Sequence, residues 1–582
     1  FEIDVHSVPG WHVISQGNGT SGDGDGRAHW NSGGPLEQIY LVGGPLKRWS
    51  DNAGAIETLV YLHADEEPVA AKYLEATSRY IEMYRKLLGP YPYEKFALVE
   101  NFWETGYGMS SFTLLGEQII RFPFILHSSY PHEILHNWWG NSVFVDYATG
   151  NWCEGLTAYM ADHLIQEQRG GGALYRRSTL QKYRDYVKEG RDFPLEQFSS
   201  RHDAATEAIG YGKSLMGFHA LRRQLGDEVF VQGLADFYKD NRGRHAGFAD
   251  LALAFEGRLD RAQQAEAGEL ELGDFFKQWL KREGAPKLEI LQREFSAQAD
   301  GYEISVELAQ VQPGEPFAIR VPLRVTSAEG VESFVFQMRS KTETFQASVS
   351  SEPWSVEIDP DFDVFRLLDP RETPSSIGQI FGEPEILALL PSAASPEDQG
   401  RYRELVNYWN TEEHKIEVRL DSSVDSLPPN RALWVFGANN LHRAVFEGWR
   451  ADALALDRGG NSLLTSSGDV FPGHCSVVLR RHPANMEKAV GWIVVDPWVA
   501  LEGLVRKLPH YGKYSYLAFQ GSEPTNVLKG QWSTPDSPLS ATFAGTAGEK
   551  LVVASTPSER QALAELAPVF AQAALRKHVE WL

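Results

Sequence analysis

The chain has 582 residues, 42% of them hydrophobic and 23% charged, which excludes large-scale disorder and predicts about three or four domains rather than one core. Its formal net charge of −23 at pH 7 argues against nucleic acid or an anionic membrane surface as a partner. Its two cysteines cannot form a disulfide framework or a cysteine metal cluster, and no apolar run reaches the roughly 18 residues of a transmembrane segment.

The N-terminal segment, residues 1–54, is rich in glycine, serine and asparagine and predicts loops with two short strands, at 11–14 and 39–42. The chain begins at Phe1 and shows no signal-peptide pattern, so we expect a processed or truncated product. The sequence leaves the cellular compartment open.

Regular secondary structure is predicted from about residue 55. The periodic segment Ala70–Leu88 predicts an amphipathic helix that ends at Gly89-Pro90. Strands are predicted on either side of it, at Thr58–Leu62 and at Ala97–Glu100.

The pattern H-E-x-x-H, at residues 132–136, predicts a metal site. On a helix predicted from Ile125 to Trp139, His132 and His136 lie one turn apart on the same face, where two imidazoles can bind one Zn²⁺. Glu133 lies beside the metal rather than on it. It is therefore the candidate general base, which takes a proton from the attacking water.

A catalytic zinc site needs a third protein ligand and an open fourth position. The candidate is Glu154, at the start of a helix predicted over Glu154–Gln168. The second histidine is followed by N-W-W-G-N, and Glu154 lies within W-C-E-G-L-T-A-Y. With these motifs the chain resembles the M1 family of zinc metallopeptidases, the gluzincins, which include aminopeptidases.

The resemblance implies a mostly α, thermolysin-like catalytic domain with one Zn²⁺ per chain, held by His132, His136 and Glu154. It implies a peptide or protein as the substrate. M1 enzymes carry an N-terminal β-domain, so residues 1–54 are expected to be its remnant. Oligomeric state and side-chain specificity are left open.

A strand before the metal motif departs from the family pattern. In M1 aminopeptidases it reads G-A-M-E-N: its Glu binds the α-amine of the substrate and its backbone pairs with the peptide. Here Met109 matches, and Gly108 and Met109 are the candidate substrate-binding residues, but Ser110 and Ser111 replace the Glu and the Asn. A neutral serine cannot make the charge-assisted contact to an ammonium group. Hydrolysis is therefore better supported than a requirement for a free amine.

Two acidic residues could substitute for the missing glutamate, Glu100 and Glu104, although nothing in the spacing shows that either does. The loop before Glu154 is one residue shorter than is usual in the family. The family also places an acidic residue seven positions after the glutamate ligand, where it orients a zinc histidine, but here position 161 is alanine. Because each helical residue is rotated by about 100°, the side chain of Asp162 points away from the direction of position 161. Asp162 and Asp146 therefore both remain candidates.

Further helices are predicted after the metal motif, at 172–188, 209–225, 227–241, 248–258 and 272–282. The second begins with G-Y-G-K-S, which resembles the family's Y-x-K-G, whose tyrosine donates a hydrogen bond to the oxyanion. Tyr211 is thus the candidate for that role, because a phenol of pKa about 10 stays protonated at neutral pH. The alternative is a tyrosine that merely packs at a helix start.

The C-terminal half predicts two more units. Alternating apolar residues from 287 to 372 predict a β-sandwich. Residues 376–582 alternate apolar runs with helical stretches, which predicts an α/β domain with an open, mostly parallel sheet and a closing helix at Ser558–Trp581. Its role is unknown, and docking or substrate gating is the interpretation we favour. The remnant at 1–54 and the catalytic domain at 55–286 complete the predicted multidomain chain.

The sequence thus predicts a zinc-dependent peptide-bond hydrolase of M1 type, aminopeptidase-like, with Glu133 as the base and Tyr211 at the oxyanion. One alternative is an endopeptidase, or a peptidase of modified peptides, that does not require a free amine. Another is an inactive, zinc-stabilised binding protein. Intact Glu133 and Tyr211 argue against the latter.

Overall fold

The computed structural model describes residues 1–22, 24–188, 190–259, 272–446, 474–534 and 537–543. The chain is multidomain, with a mostly helical central part between several separate sheets. Among the described residues, no helix combines the length and apolar composition that crossing a bilayer requires.

Two small antiparallel sheets form the N-terminal segment. Their strands are β1 (Glu2–His6), β2 (His12–Ser15), β3 (Asn18–Thr20), β4 (Arg27–Asn31) and β5 (Leu41–Gly44), in the orders β1-β4-β3 and β2-β5. Trp30, which is fully buried, packs with Val13 and Ala28 between them.

A five-stranded sheet carries the substrate-strand candidate. Its strands are β6 (Lys47–Ala53), β7 (Ile56–Leu62), β8 (Lys95–Asn101), β9 (Gly106–Met109) and β10 (Phe112–Gly116), in the order β6-β7-β8-β10-β9. The parallel strands β7 and β8 require a crossover, which the long helix between them provides. Because β6 pairs with β7 across Gly54, the predicted boundary at 54 falls inside a hairpin of this sheet. Strand β9 lies at the sheet edge. A separate pair of short parallel strands consists of β11 (Phe144–Val145) and β12 (His245–Ala246).

The helices pack against this sheet and against each other around the fully buried Trp138, Trp139 and Trp152. The helices predicted between residues 172 and 282 are present with ends within two residues, except that the segment at 209–225 begins as the π-helical turn Ala208–Lys213. They are α1 (Glu67–Leu88), α2 (Glu117–Arg121), α3 (Ser129–Leu135), α4 (Cys153–Thr157), α5 (Leu164–Gln168), α6 (Gly172–Tyr186), α7 (Ala204–Glu207), α8 (Ser214–Leu225), α9 (Asp227–Asn241), α10 (Phe248–Glu256) and α11 (Leu272–Lys281).

The helix predicted from Ile125 to Trp139 is shorter than expected. It is a 3₁₀ turn at Ile125–His127 followed by α3, and His136 is the C-terminal cap. The last turn tightens because Asn137 N–H donates to the carbonyl of Ile134 three residues back. The Asn137 side chain also donates to that carbonyl while its Oδ1 accepts from the N–H of Ser111, so the helix end is tied to the sheet.

Two antiparallel sheets follow these helices along the chain, in the region where the sequence predicts a β-sandwich. One sheet contains β13 (Leu288–Gln298), β14 (Gly301–Gln310) and β17 (Thr342–Val349), and the other contains β15 (Ile319–Ser327), β16 (Gly330–Met338) and β18 (Pro353–Ile358). The strand Ser540–Thr542 also pairs with β18. The predicted limit at 372 therefore leaves out a strand that returns from the end of the described chain.

The last unit has a seven-stranded sheet of β19 (Glu385–Leu390), β20 (Lys415–Leu420), β21 (Ala432–Phe436), β22 (His474–His482), β23 (Asn485–Val494), β24 (Tyr516–Gln520) and β25 (Thr525–Gly530). Its order is β20-β19-β21-β23-β22-β24-β25, with helices α12 (Ile377–Phe381), α13 (Pro396–Trp409) and α14 (Leu501–Lys507). The prediction of a mostly parallel sheet is wrong for half of it: pairs along β20-β19-β21-β23 are parallel, and the other three are antiparallel. The short turns that join β22 to β23 and β24 to β25 allow only antiparallel pairing. The predicted helix Ser558–Trp581 lies outside the described residues.

Candidate active site

Three of the predicted site residues converge on one point. The ligand atoms of His132, His136 and Glu154 all lie within 4.8 Å of one another. Glu154 Oε2 is 3.5 Å from Nε2 of His132 and 3.7 Å from Nε2 of His136. Two imidazole nitrogens and one carboxylate oxygen are a donor set of the kind that holds catalytic zinc.

Each histidine is oriented by a hydrogen bond at its other ring nitrogen. Nδ1 of His132 donates to Oδ2 of Asp162 at 2.7 Å, and Nδ1 of His136 donates to the carbonyl of Trp139 at 3.4 Å. In each ring the proton on Nδ1 leaves the lone pair of Nε2 directed at the shared point.

The orienting role of Asp162 corrects the geometry assumed from the sequence. Between α4 and α5 the chain forms a π-helical turn, Ala158–His163, rather than a continuous α-helix. A π turn takes up one extra residue. Asp162, eight positions after Glu154, therefore reaches the direction that the seventh residue has in a regular helix. Asp146, the other candidate, instead caps the turn after it by accepting from Ala148 N–H.

The electrostatics of the site favour a bound cation. Burial would raise the pKa of Glu154, but its hydrogen bond to His132 and the nearby His136 lower it to about 2. Burial lowers the pKa of His136 to about 4, whereas Asp162 and Glu154 outweigh burial and raise the pKa of His132 well above its usual value. An ionised carboxylate and a neutral imidazole are the protonation states that metal binding needs. The raised pKa of His132 shows that the carboxylates around it favour a positive charge, and a bound metal ion would supply that charge.

Glu133 lies against the backbone of β9. A Cβ at Gly108 would lie 2.7 Å from its Oε2, and a Cβ at Gly106 would lie 2.9 Å from its Oε1. A side chain at either position would displace the end of the Glu133 side chain, and Gly106 was not singled out from the sequence. Burial raises the pKa of the Glu133 carboxyl to about 7, with further contributions from Glu154 and Asp162 against the opposing effect of His132. A base of this pKa matches proton transfer near neutral pH.

The end of β9 is held by asparagines that follow the second histidine. Asn141 Nδ2 donates to the carbonyl of Gly108 at 3.2 Å, and its Oδ1 accepts from Ser110 Oγ at 3.3 Å. Ser111 adopts a left-handed backbone with φ +68, and its N–H donates to Asn137. The N-W-W-G-N motif is visible in the sequence, but this use of its asparagines is not.

Both acidic residues that could replace the missing amine-binding glutamate are engaged elsewhere. Glu100 is buried, and its two carboxylate oxygens accept from the Arg121 guanidinium at 2.6 Å and from the N–H of His63 at 2.5 Å. Glu104 caps α2 by accepting from the N–H groups of Gln118 and Ile119 at 3.1–3.2 Å. Neither carboxylate is free to bind an ammonium group at Ser110.

Tyr211 lies in the π-helical turn Ala208–Lys213, beside the histidines. Its ring is nearly parallel to that of His132, with centroids 6.3 Å apart. Burial and the nearby Glu154 carboxylate raise the pKa of Tyr211 above its usual value. The phenol therefore stays protonated and can donate a hydrogen bond at the site.

Comparison with known proteins supports the resemblance to the M1 family. Residues 127–279 match the model of the peptidase family M1 domain. Aminopeptidase M1 of Arabidopsis thaliana is 27% identical over 225 residues, which are 36% of this chain and 23% of that protein. Aminopeptidase 2, mitochondrial, of Saccharomyces cerevisiae is 24% identical over 328 residues, which are 54% of this chain and 33% of that protein. The chain thus spans about a quarter to a third of the length of these curated relatives, and its resemblance to aminopeptidase-like M1 peptidases is confirmed.

Proposed function

We propose that this chain, which carries a peptidase family M1 domain, is a zinc-dependent peptide-bond hydrolase, aminopeptidase-like in the architecture of its site. The observation that carries the proposal is the convergence of His132, His136 and Glu154 within 4.8 Å, with Glu133 between them and the edge strand β9. Bound zinc would polarise the scissile carbonyl and make an attacking water more acidic.

The side chains of this chain have separate tasks in that reaction. Glu133 takes the proton of the attacking water and delivers it to the leaving amine, since its raised pKa allows both states near neutral pH. Tyr211 donates a hydrogen bond to the developing oxyanion. Asp162 holds His132 in the orientation that a ligand needs.

Strand β9 aligns the substrate. It lies at the edge of its sheet, so its outer backbone groups can pair with an extended peptide as an added strand. Gly108 brings that backbone next to Glu133. A peptide paired there would have its carbonyl carbons beside the base.

A second candidate function differs only in what the cleft requires at the substrate's N-terminus. Ser110 stands where the family has its amine-binding glutamate, and Glu100 and Glu104 are engaged in other contacts. These observations favour a peptidase that also accepts peptides without a free amine, such as N-blocked or internal segments.

The experiment is cleavage of matched peptides with free and acetylated N-termini by the purified chain, with and without a zinc chelator. We expect cleavage that the chelator abolishes and added zinc restores. Glu133→Gln should keep its zinc while the turnover number falls at least about a hundredfold. Zinc binding without cleavage of any peptide would instead support the inactive binding protein.

A further inference from the structure

Two large apolar side chains are exposed next to the start of β9. Phe102 is 75% exposed and Trp103 is 59% exposed, and their ring centroids lie 4.8 Å apart. A phenylalanine and a tryptophan kept in water side by side form an apolar patch of the kind that marks an interaction site.

The loop that carries this pair lies at one end of the candidate cleft. Residues 102–105 lead from β8 across the end of β10 into β9: Gly116, the last residue of β10, donates its N–H to the carbonyl of Thr105. A Cβ at Gly116 would lie 2.5 Å from the carbonyl oxygen of Trp103. Trp103 is three residues before Gly106, which contacts Glu133, so at most about 11 Å of backbone separates them.

The direction in which a substrate peptide pairs with β9 decides which of its side chains pass Phe102 and Trp103. An antiparallel partner strand on the free edge of β9 would run opposite to it, from the side of Ser110 back past Gly108 and Gly106. Its leaving-group end then comes out where the loop 102–105 closes the sheet.

We infer that Phe102 and Trp103 form a docking surface for apolar side chains on the leaving-group side of the scissile bond. This inference rests on the proposed function. At about 3.3 Å per residue, the path from Gly108 to Trp103 brings the side chains within about five residues after the scissile bond onto the pair. The substrates are therefore peptides longer than dipeptides, with an aromatic or aliphatic residue in that stretch.

The charges around the pair agree with an apolar occupant. Glu104, the acidic residue of the loop, has both carboxylate oxygens on the N–H groups that begin α2. Asn101, on the other side of the pair, accepts from the N–H of Phe102. The polar side chains that flank the two rings are thus engaged in hydrogen bonds to the backbone, and the rings are what the loop presents to a ligand.

The test uses peptides with one constant scissile bond, two to eight residues long, that carry either phenylalanine or serine at single positions before or after the bond. The variants are Phe102→Ala/Trp103→Ala and the ring-preserving Phe102→Tyr/Trp103→Phe. Tyr408→Ala removes an aromatic side chain that is 60% exposed on α13 and is the matched control. The readouts are kcat and KM for each peptide.

For the unchanged protein, kcat/KM should rise on the order of tenfold once a phenylalanine lies within five positions after the bond, through a lower KM. The double alanine variant should lose this gain while its kcat on the dipeptide stays unchanged. The ring-preserving variant and the control should keep the gain.

Other outcomes overturn the inference while leaving the proposed function intact. These are a gain only for phenylalanine before the bond, equal kcat/KM for short and long peptides, or a gain that the double alanine variant retains. Binding of neutral phosphatidylcholine vesicles that is lost in the double variant, with unchanged peptide kinetics, would assign the pair to a lipid surface instead. Failure of the unchanged protein to cleave any peptide overturns the proposed function itself.

Discussion

Asp162 is the residue that most directly links the helix geometry to the metal site. Its carboxylate is 2.7 Å from Nδ1 of His132, and the π-helical turn Ala158–His163 directs it there. A carboxylate in this position fixes the ring and makes Nε2 a better donor to a metal.

Replacing Asp162 by asparagine should therefore weaken zinc binding about tenfold to a hundredfold. An amide can still accept the hydrogen bond but contributes no charge. Zinc affinity is measured by competition with a chromophoric chelator, with Asp146→Asn as the matched control, because Asp146 only caps a turn. Equal affinities for the two variants would show that Asp162 does not orient the ligand.

Lys95 gives a prediction on the pH dependence of stability. Its amine is fully enclosed, where it donates to the carbonyl of Ser15 and to Ser111 Oγ and lies 4.8 Å from the ring of Trp30. Burial lowers the pKa of Lys95 from 10.5 to about 7. Between these two values the unfolded chain binds more protons than the folded one, so the contribution of Lys95 to stability increases as the pH rises.

The unchanged protein should thus gain stability relative to Lys95→Met by up to about 1.4 kcal/mol per pH unit from pH 7 towards 10.5, with no further difference in slope below pH 7. Urea unfolding at several pH values measures this difference. Lys239→Met, at an exposed position on α9, is the matched control. Parallel curves for Lys95→Met and the unchanged protein would refute the prediction.

At the scale of elements, strand β9 depends on the absence of side chains at Gly106 and Gly108. The carboxylate of Glu133 occupies the space where side chains at positions 106 and 108 would begin. The edge strand and the helix end that bears the base are therefore matched surfaces, and the strand cannot be changed without moving the base.

Gly108→Ala should consequently lower kcat/KM by no more than about tenfold and change zinc affinity much less, because the new Cβ would meet the end of the Glu133 side chain at 2.7 Å, which can shift, and the Cβ of His136 at 3.3 Å. Gly217→Ala is the control: it lies in α8 with open space around its position, and there alanine is favoured by helix propensity. Full activity in Gly108→Ala would mean that β9 does not constrain the base.

The sequence predicts the helices and strands of this site better than it predicts where they end and how they contact each other. Spacing of His132 and His136 requires only one helical turn, so their convergence is predictable even though the helix is shorter than expected. The position of Asp162 depends on a π turn, for which no local pattern in the sequence was recognised. The ends of the short helix and of β9 depend on contacts made through Asn137 and Asn141 between segments distant in sequence. Periodicity carries no information about such contacts.

At the scale of the whole molecule, helix α6 packs against both the candidate site and the α/β unit. One face packs on the π turn of Tyr211: a Cβ at Gly212 would lie 3.1 Å from the side chain of Thr179. The other face receives the α/β unit, where Asp185 Oδ2 accepts from Ser376 Oγ at 2.8 Å. The sandwich is tied to the same helix through Asp363, which binds Arg176 at 3.0 Å. The α/β unit therefore packs on the helices that carry the candidate site and is not a separate appendage.

Glu383 provides a test of that packing. Its side chain is 3% exposed and forms ion pairs with Lys188, just after α6, and with Lys488 of β23 at 2.5 Å. Glu383→Gln removes the negative charge between two partly buried ammonium groups, which should cost about 2–4 kcal/mol. The first unfolding transition should therefore have its midpoint at a lower urea concentration. The control Glu502→Gln should change the free energy of unfolding by less than about 0.5 kcal/mol, since Glu502 is 86% exposed in its pair with Arg506. Because Tyr211 rests on α6, kcat of Glu383→Gln should fall with unchanged zinc affinity. A shift equal to that of Glu502→Gln would mean that the α/β unit does not support the catalytic helices through this contact.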